Sequence, residues 1–202
     1  IQYVSTTQNT ITHRYWSVND FKWDNQADGQ VIDFGFDRVG YDFDQVIGMT
    51  LIKGRFFSKR HPSDATEGIV INEEAVKQMH LKNPLGKIMQ KSNGRRYKII
   101  GVMKNFHTES LHQPIRPHAY VFGNNGLYNM FISFNPNQSN ISEVLKKIEE
   151  KIKSIVPSDP FEYYFMDSRL KRHYDKENMT GNLINFATII SLILSSLGLI
   201  GL

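Results

Sequence analysis

Residues 68–79 read GIVINEEAVKQM. Gly68-Ile69-Val70-Ile71 is a short, largely β-branched apolar run, the composition of a buried strand. Asn72 follows as a helix N-cap, since its side-chain oxygen can accept an unpaired backbone N–H. Glu73 and Glu74 then fall in the first turn, where the helix dipole favours negative charge. A strand passing directly into a helix over Glu73–Met79 is therefore expected. Asn83-Pro84-Leu85-Gly86 turns the chain into a hairpin formed by Lys87–Lys91, the loop Ser92-Asn93-Gly94 and Arg95–Val102. Asn-Gly offers the positive φ angles of a type I′ turn. Strand-to-helix and strand-to-strand connections thus stand side by side in one stretch.

The flanking chain continues this mixture. Ile1–Thr12 and Val31–Phe36 read as strands. Between them Tyr15, Trp16, Phe21 and Trp23 sit among Asp20, Asp24, Asn25 and Asp28, a loop or hairpin plugged by aromatic rings. Asp42–Leu51 places Phe43, Val46, Ile47 and Leu51 at helical spacing behind Asp42 as N-cap. A polar loop follows through Pro62, Ser63 and Asp64. Further strands are expected at Ala119–Phe122, Met130–Phe134 and Phe161–Met166. Ile141–Val156 is an amphipathic helix with Ile141, Val144, Leu145, Ile148, Ile152 and Ile155 on one stripe, stopped by Pro157. Asp167 or Ser168 caps a charged helix over Arg169–Asn178. Without strict βαβ alternation, the class is α+β.

The chain has 202 residues, no cysteine, 40% apolar and 22% charged residues, and a net charge of +4. That is enough material for a core of one domain or two small ones, and it excludes wholesale disorder. The absence of thiols excludes disulfides, iron–sulfur clusters, cysteine zinc sites and a cysteine nucleophile. A start at Ile1 rather than Met is expected of a cut or processed chain. The mean hydropathy of −0.39 averages over a very different C-terminus. Leu183–Leu202, LINFATIISLILSSLGLIGL, is twenty residues without a charge. As a helix it would extend about 30 Å, the thickness of a bilayer's hydrocarbon core. Ala187, Ser191 and Ser195 recur every four residues, with Gly198 and Gly201 beyond, a small-residue row suited to packing against other membrane helices. The expected organisation is an extracytoplasmic domain over 1–180 and the start of a transmembrane helix over 181–202.

The candidate chemical motifs do not hold together. Gly86-Lys87 lacks the earlier glycine and the following Ser or Thr of a phosphate loop. His107, Glu109 and His112 carry metal-binding groups, but the histidines are five apart, not on one helical face, and Pro114 follows closely. Asp33, Asp37, Asp42 and Asp44 lack the alternation and closing Glu of a calcium loop. Residues 41–140 carry 13 Lys and Arg against 7 Asp and Glu. Around the hairpin, however, strand alternation puts Arg96 and Lys98 on one face and Arg95 on the other, a blunted sheet edge rather than a nucleic-acid surface. Arg169, Lys171, Arg172 and Lys176 beside the apolar segment would by themselves favour a cytoplasmic side.

Three stretches carry a resemblance: Leu51-Ile52-Lys53-Gly54-Arg55-Phe56-Phe57-Ser58; Ile69–Ala75 with Asn83-Pro84-Leu85-Gly86-Lys87; and Ile99-Ile100-Gly101-Val102-Met103-Lys104-Asn105-Phe106-His107 through Ser110–Pro117. Their order and spacing resemble the MacB-like periplasmic core domain of FtsX-like ABC-transporter permeases, especially the Bacteroidetes type. Phe186-Ala187 and Leu197–Leu202 are similar to that family's following span. The resemblance covers residues 40–202. It implies an α+β, mixed-sheet periplasmic core domain with a porter-like and a smaller β-rich subdomain, standing outside the bacterial inner membrane. It also implies a dimer with a second permease subunit, a separate or fused cytoplasmic ABC ATPase that binds the ATP, and a periplasmic partner or cargo. No nucleic acid, cofactor, metal or catalytic residue is implied in this chain. Gly54, Arg55, Phe57, Asn72, Glu73, Pro84, Gly86, Gly101, Phe106, His107 and Pro114 are expected to be structural. A ligand-sensing receptor domain and a hydrolase using His107, Glu109 and His112 are the rival expectations.

Overall fold

The computed structural model describes residues 1–10, 16–106, 114–135, 140–166, 187–191 and 195. The elements in order are β1 Tyr3–Thr7, β2 Trp16–Val18, β3 Phe21–Trp23, β4 Phe34–Val39, α1 Phe43–Ile47, β5 Leu51–Gly54 and α2 Asp64–Glu67. They continue with β6 Gly68–Asn72, α3 Glu73–Gln78, β7 Ile88–Lys91, β8 Arg96–Met103, β9 His118–Phe122, β10 Asn129–Ser133 and α4 Ile141–Ile155. The chain divides into two compact units, Ile1–Ser139 and Asn140–Leu202.

In the first unit all ten strands join one mixed sheet. Its order is β10-β1-β4-β9-β6-β8-β7-β3, with β2 against β4 and β5 against β8. The α+β class is as expected. β6 lies between β8, parallel, and β9, antiparallel. All five of its residues are buried, because helices and loops cover both faces and a continuous apolar run is then the stable choice. Ile69 and Ile71 belong to a core with Phe21, Phe34, Met89 and Ala75. Strand alternation directs Val70 to the opposite face. In β9 the same alternation directs Tyr120 opposite to Ala119 and Val121, and Tyr120 meets Phe43 of α1, ring centroids 5.9 Å apart.

The strand-to-helix step at Asn72 is present as expected, with its side chain accepting the Ala75 N–H at 3.0 Å. Four expectations are corrected. The hairpin turn is not type I′: Gly94 has φ 84°, but Asn93 is not among the positive-φ residues. The Gly94 N–H donates to Lys91 C=O and the Lys91 N–H to Arg95 C=O, so three loop residues span the strands with Gly94 alone left-handed. The helix expected over Asp42–Leu51 ends at Ile47, because Gly48 turns left-handed and returns its N–H to Asp44 C=O. Leu51 then pairs with Met103 in β5, and Asp42, itself left-handed, makes no side-chain cap. β2 and β3 do not form a hairpin with each other; they pair with β4 and β7. Phe161–Met166 forms no strand, although Phe161, Tyr163 and Phe165 stack in sequence with centroids 5.7 Å apart.

In the second unit α4 has a reciprocal N-terminal cap. Asn140 accepts the Glu143 N–H and donates to the Glu143 carboxylate. Lys147 and Lys153 pair with Glu143 and Glu149 one turn back, exposed pairs that water and salt screen strongly. None of its residues is buried. Ala187–Ser191 and Ser195 are helical, and the Ser191 hydroxyl donates to the Ala187 carbonyl. Among the described residues no helix is long and apolar enough to cross a membrane. Gly181, Gly198, Gly201, most of Leu183–Leu202 and the helix expected over Arg169–Asn178 lie outside the described residues.

Candidate functional site

The expected family residues gather at two nodes of the first unit. At the first, β5 meets β8. Gly54 has φ 76°, and a Cβ there would stand 2.1 Å from the Ile100 carbonyl oxygen. A Cβ on Gly101 would stand 2.3 Å from the Arg55 carbonyl oxygen. Glycine is therefore required on both strands, whose pairing shifts register between Leu51 and Lys53. Arg55, next in the chain, grips Asp64 with two hydrogen bonds of 2.8 Å. Asp64 is buried, so the pair ties β5 to the start of α2. Phe57 is buried against the Phe56 and Phe122 rings.

At the second node Asn72 serves three partners. Its Oδ1 accepts the Ala75 and His118 N–H groups at 3.0 and 2.9 Å, and its Nδ2 donates to the Arg116 carbonyl at 2.8 Å. Glu73 accepts the Asn105 N–H, while the Asn105 side chain accepts the Glu74 N–H, clamping the segment after β8 to the start of α3. Gly86, at φ 81°, sends its N–H to Ile99 C=O, and the Lys87 N–H returns to the Pro84 carbonyl to close the turn. Phe106 is exposed and Pro114 is exposed as well, so neither joins these nodes. His107, Glu109 and His112 lie outside the described residues. Among the described residues no three His, Asp or Glu side chains are gathered to hold a metal.

Two buried titratable groups take roles that the sequence patterns did not indicate: His118 was not singled out, and Asp37 was weighed only as a calcium-loop carboxylate. His118 stacks on Tyr120 with centroids 4.4 Å apart. Its ring fills the space that a Cβ on Gly35 would need. Burial, assisted by Arg116, lowers its pKa to about 3 and holds it neutral. Asp37 accepts hydrogen bonds from the Thr7 hydroxyl at 2.8 Å, the Arg38 N–H at 2.8 Å and Asn9 at 3.3 Å. It therefore secures the end of β1, which meets β4 at the single pair Thr7 and Val39. Burial dominates these hydrogen bonds and raises its pKa from 3.8 to about 6. An acid with a raised folded pKa holds its proton more tightly when folded. Its contribution to stability is thus fully present below about pH 4 and lost as pH rises through about 6. The penalty at neutral pH is about 3 kcal/mol. Asp37→Asn keeps the shape, and the Thr7 hydroxyl can turn to accept. Burial of neutral His118 pulls the profile of both chains the other way, so the diagnostic quantity is the difference between them: urea unfolding is expected to show Asp37→Asn gaining about 3 kcal/mol on the parent between pH 4 and pH 7, and a pH-independent difference would refute the assignment.

Beside the second node lies an open groove of about 740 Å³. It is bounded by α3, the segment through His80–Pro84 and β5, with Val102 of β8 among its lining residues. Ile52, Val76, Leu81 and Pro84 make it largely apolar, and Lys53, Lys77 and Lys82 stand at it. The sequence patterns did not reveal it, because its walls come from segments about twenty to fifty residues apart. The two nodes consume their charged and polar groups in holding strands and helix ends; they present no nucleophile–base pair for catalysis. The groove is a concave surface beside the second of them.

The sequence pattern of the MacB-like periplasmic core domain matches residues 4–151. The structure is similar to the crystal structure of the periplasmic region of MacB from Actinobacillus actinomycetemcomitans, with TM-score 0.56 and 18% identity over 87% of this chain and 76% of that one. It is similar also to the extracellular domain of YknZ, a noncanonic ABC-type transporter from Gram-positive bacteria, with TM-score 0.56 and 15% identity over 79% of this chain and 78% of that one. At those identities the likeness is one of fold. No curated protein matches.

Proposed function

The chain belongs to the MacB-like periplasmic core domain family, and on that footing we propose that it is the extracytoplasmic domain of an ABC-transporter permease, passing ATPase-driven motion to a cargo or partner outside the membrane. The family match over residues 4–151 carries this reading. The chemistry of the two nodes supports it: their conserving of contacts suits a body that is moved rather than one that catalyses. On this reading residues 1–180 stand outside the inner membrane and 181–202 begin a transmembrane helix. Ala187, Ser191, Ser195, Gly198 and Gly201 face neighbouring spans, a second permease subunit completes a dimer, and ATP binds a separate or fused cytoplasmic ATPase.

On the same reading the helix expected over Arg169–Asn178 runs on into the span and transmits the motion; an interior glycine costs a helix about 1 kcal/mol, so Gly181 is its weak point. Gly181→Pro in the full-length permease is expected to lower transport at least tenfold while the domain remains folded by circular dichroism. Unaltered transport would exclude a continuous helix as the transmitter. Labelling of spheroplasts with a membrane-impermeant amine reagent tests the location. Exposed lysines such as Lys53 and Lys82 are expected to react while the inner membrane is intact. Reaction only after that membrane is opened would end the reading.

A further inference from the structure

The groove beside α3 has two properties that the structural nodes do not use. The first is exposed apolar wall: Ile52 is 43% exposed on β5, and it faces the same space as Val76, Leu81 and Pro84. β5 pairs with β8, and among the described residues no strand lies on its other side, so its outer edge is open to main-chain pairing. The second is unmatched positive charge. Lys53, Lys77 and Lys82 stand at the groove with Glu73 and Glu74; Lys77 lies 3.6 Å from Glu74, while Lys53 and Lys82 have no ion-pair partner among the described residues. Both lysines are exposed.

We propose that this groove receives an extended segment of a partner protein in which apolar and acidic side chains alternate. A strand added beside β5 puts successive side chains on opposite faces. One set packs on Ile52, Val76 and Leu81, and the other carries carboxylates to Lys53 and Lys82. A small anion would leave the apolar wall exposed, and a basic or wholly apolar segment would leave both lysines unmatched. The inference rests on the reading of this chain as a partner-contacting domain. It is tested apart from that reading, because peptide binding is measured without transport and Gly181→Pro without the peptide.

The probe is a fluorescein-labelled peptide of alternating Leu and Glu, with a Leu/Lys peptide of the same length as its counterpart. Anisotropy is measured on the whole 202-residue chain in detergent, with the labelled peptide in detergent alone subtracted. Binding of the Leu/Glu peptide is expected to weaken at least tenfold in Lys53→Glu/Lys82→Glu and several-fold in Lys53→Ala/Lys82→Ala. Both lysines are exposed, so both variants should keep the parent's unfolding midpoint. Amide hydrogen exchange at residues 51–54 is expected to slow when the Leu/Glu peptide is present. Equal binding of the Leu/Lys peptide would overturn the proposal. So would unchanged affinity in both variants, unchanged exchange in β5, or a signal arising only from concentration-dependent association of the chain with itself.

Discussion

Gly54→Val is expected to lower the unfolding free energy by about 5 kcal/mol, the sum of roughly 2 for a β-branched residue held left-handed and roughly 3 for overpacking against rigid backbone. Gly54 sits at φ 76°, and its absent Cβ would meet the Ile100 carbonyl oxygen at 2.1 Å and the Gly101 Cα at 3.0 Å. Those atoms belong to β8, which also pairs with β6 and β7, so they cannot retreat without loosening three strand contacts. The Arg55 grip on buried Asp64 would move with them. The measurement is the urea midpoint of the 202-residue chain, followed by fluorescence of buried Trp23. A loss below about 1 kcal/mol would mean that β5 lies on β8 without close backbone approach, contrary to this account.

Asn72→Ala is expected to cost about 4 kcal/mol: roughly 1 for the helix cap and the rest for leaving the His118 N–H and the Arg116 carbonyl without their partner. Asn72 is 5% exposed, so water does not readily replace the amide. Asn72→Ser separates the two contributions. Its hydroxyl can still cap α3 through the Ala75 N–H, but it is too short to bridge to Arg116 and His118 as well. About a quarter of the loss, roughly 1 kcal/mol, should return. If Ser and Ala variants unfold at the same denaturant concentration, the cap contributes nothing and the bridge to β9 carries the whole effect. If neither variant departs from the parent, the three-way junction is not a stability element.

These two residues also show how far local sequence extends. Asn72 was legible as a cap because capping is a contact across three residues, and the chain pattern of an apolar run, Asn and two Glu contains every participant. Its bonds to Arg116 and His118 span 44 and 46 residues, and nothing near Asn72 announces them. Gly54 and Gly101 were read as family residues, but the reason for each glycine is the other strand's backbone. Asp37 stands in the sequence only as one of four aspartates whose spacing fails to make a calcium loop. It lies inside β4, where burial and the Thr7 hydroxyl give it a role that no spacing rule encodes. Apolar spacing runs on across Gly48 to Leu51, but the left-handed cap at Gly48 ends the helix and Leu51 pairs with Met103 instead.

The amino-acid order on its own determined the α+β class, the buried strand Gly68–Asn72 and its helix, the Lys87–Val102 hairpin, the amphipathic α4 and the charge-free tail. Each is set by interactions within a few residues: periodic burial, a cap, a turn or a run of apolar side chains. The tertiary structure decided the strand order, the partner of Arg55, the neutral His118 and strained titration of Asp37, and the groove between α3 and β5. Those depend on which distant segments the sheet brings side by side. That choice is made by the simultaneous packing of both sheet faces, a sum over many weak contacts that no single stretch of chain contains.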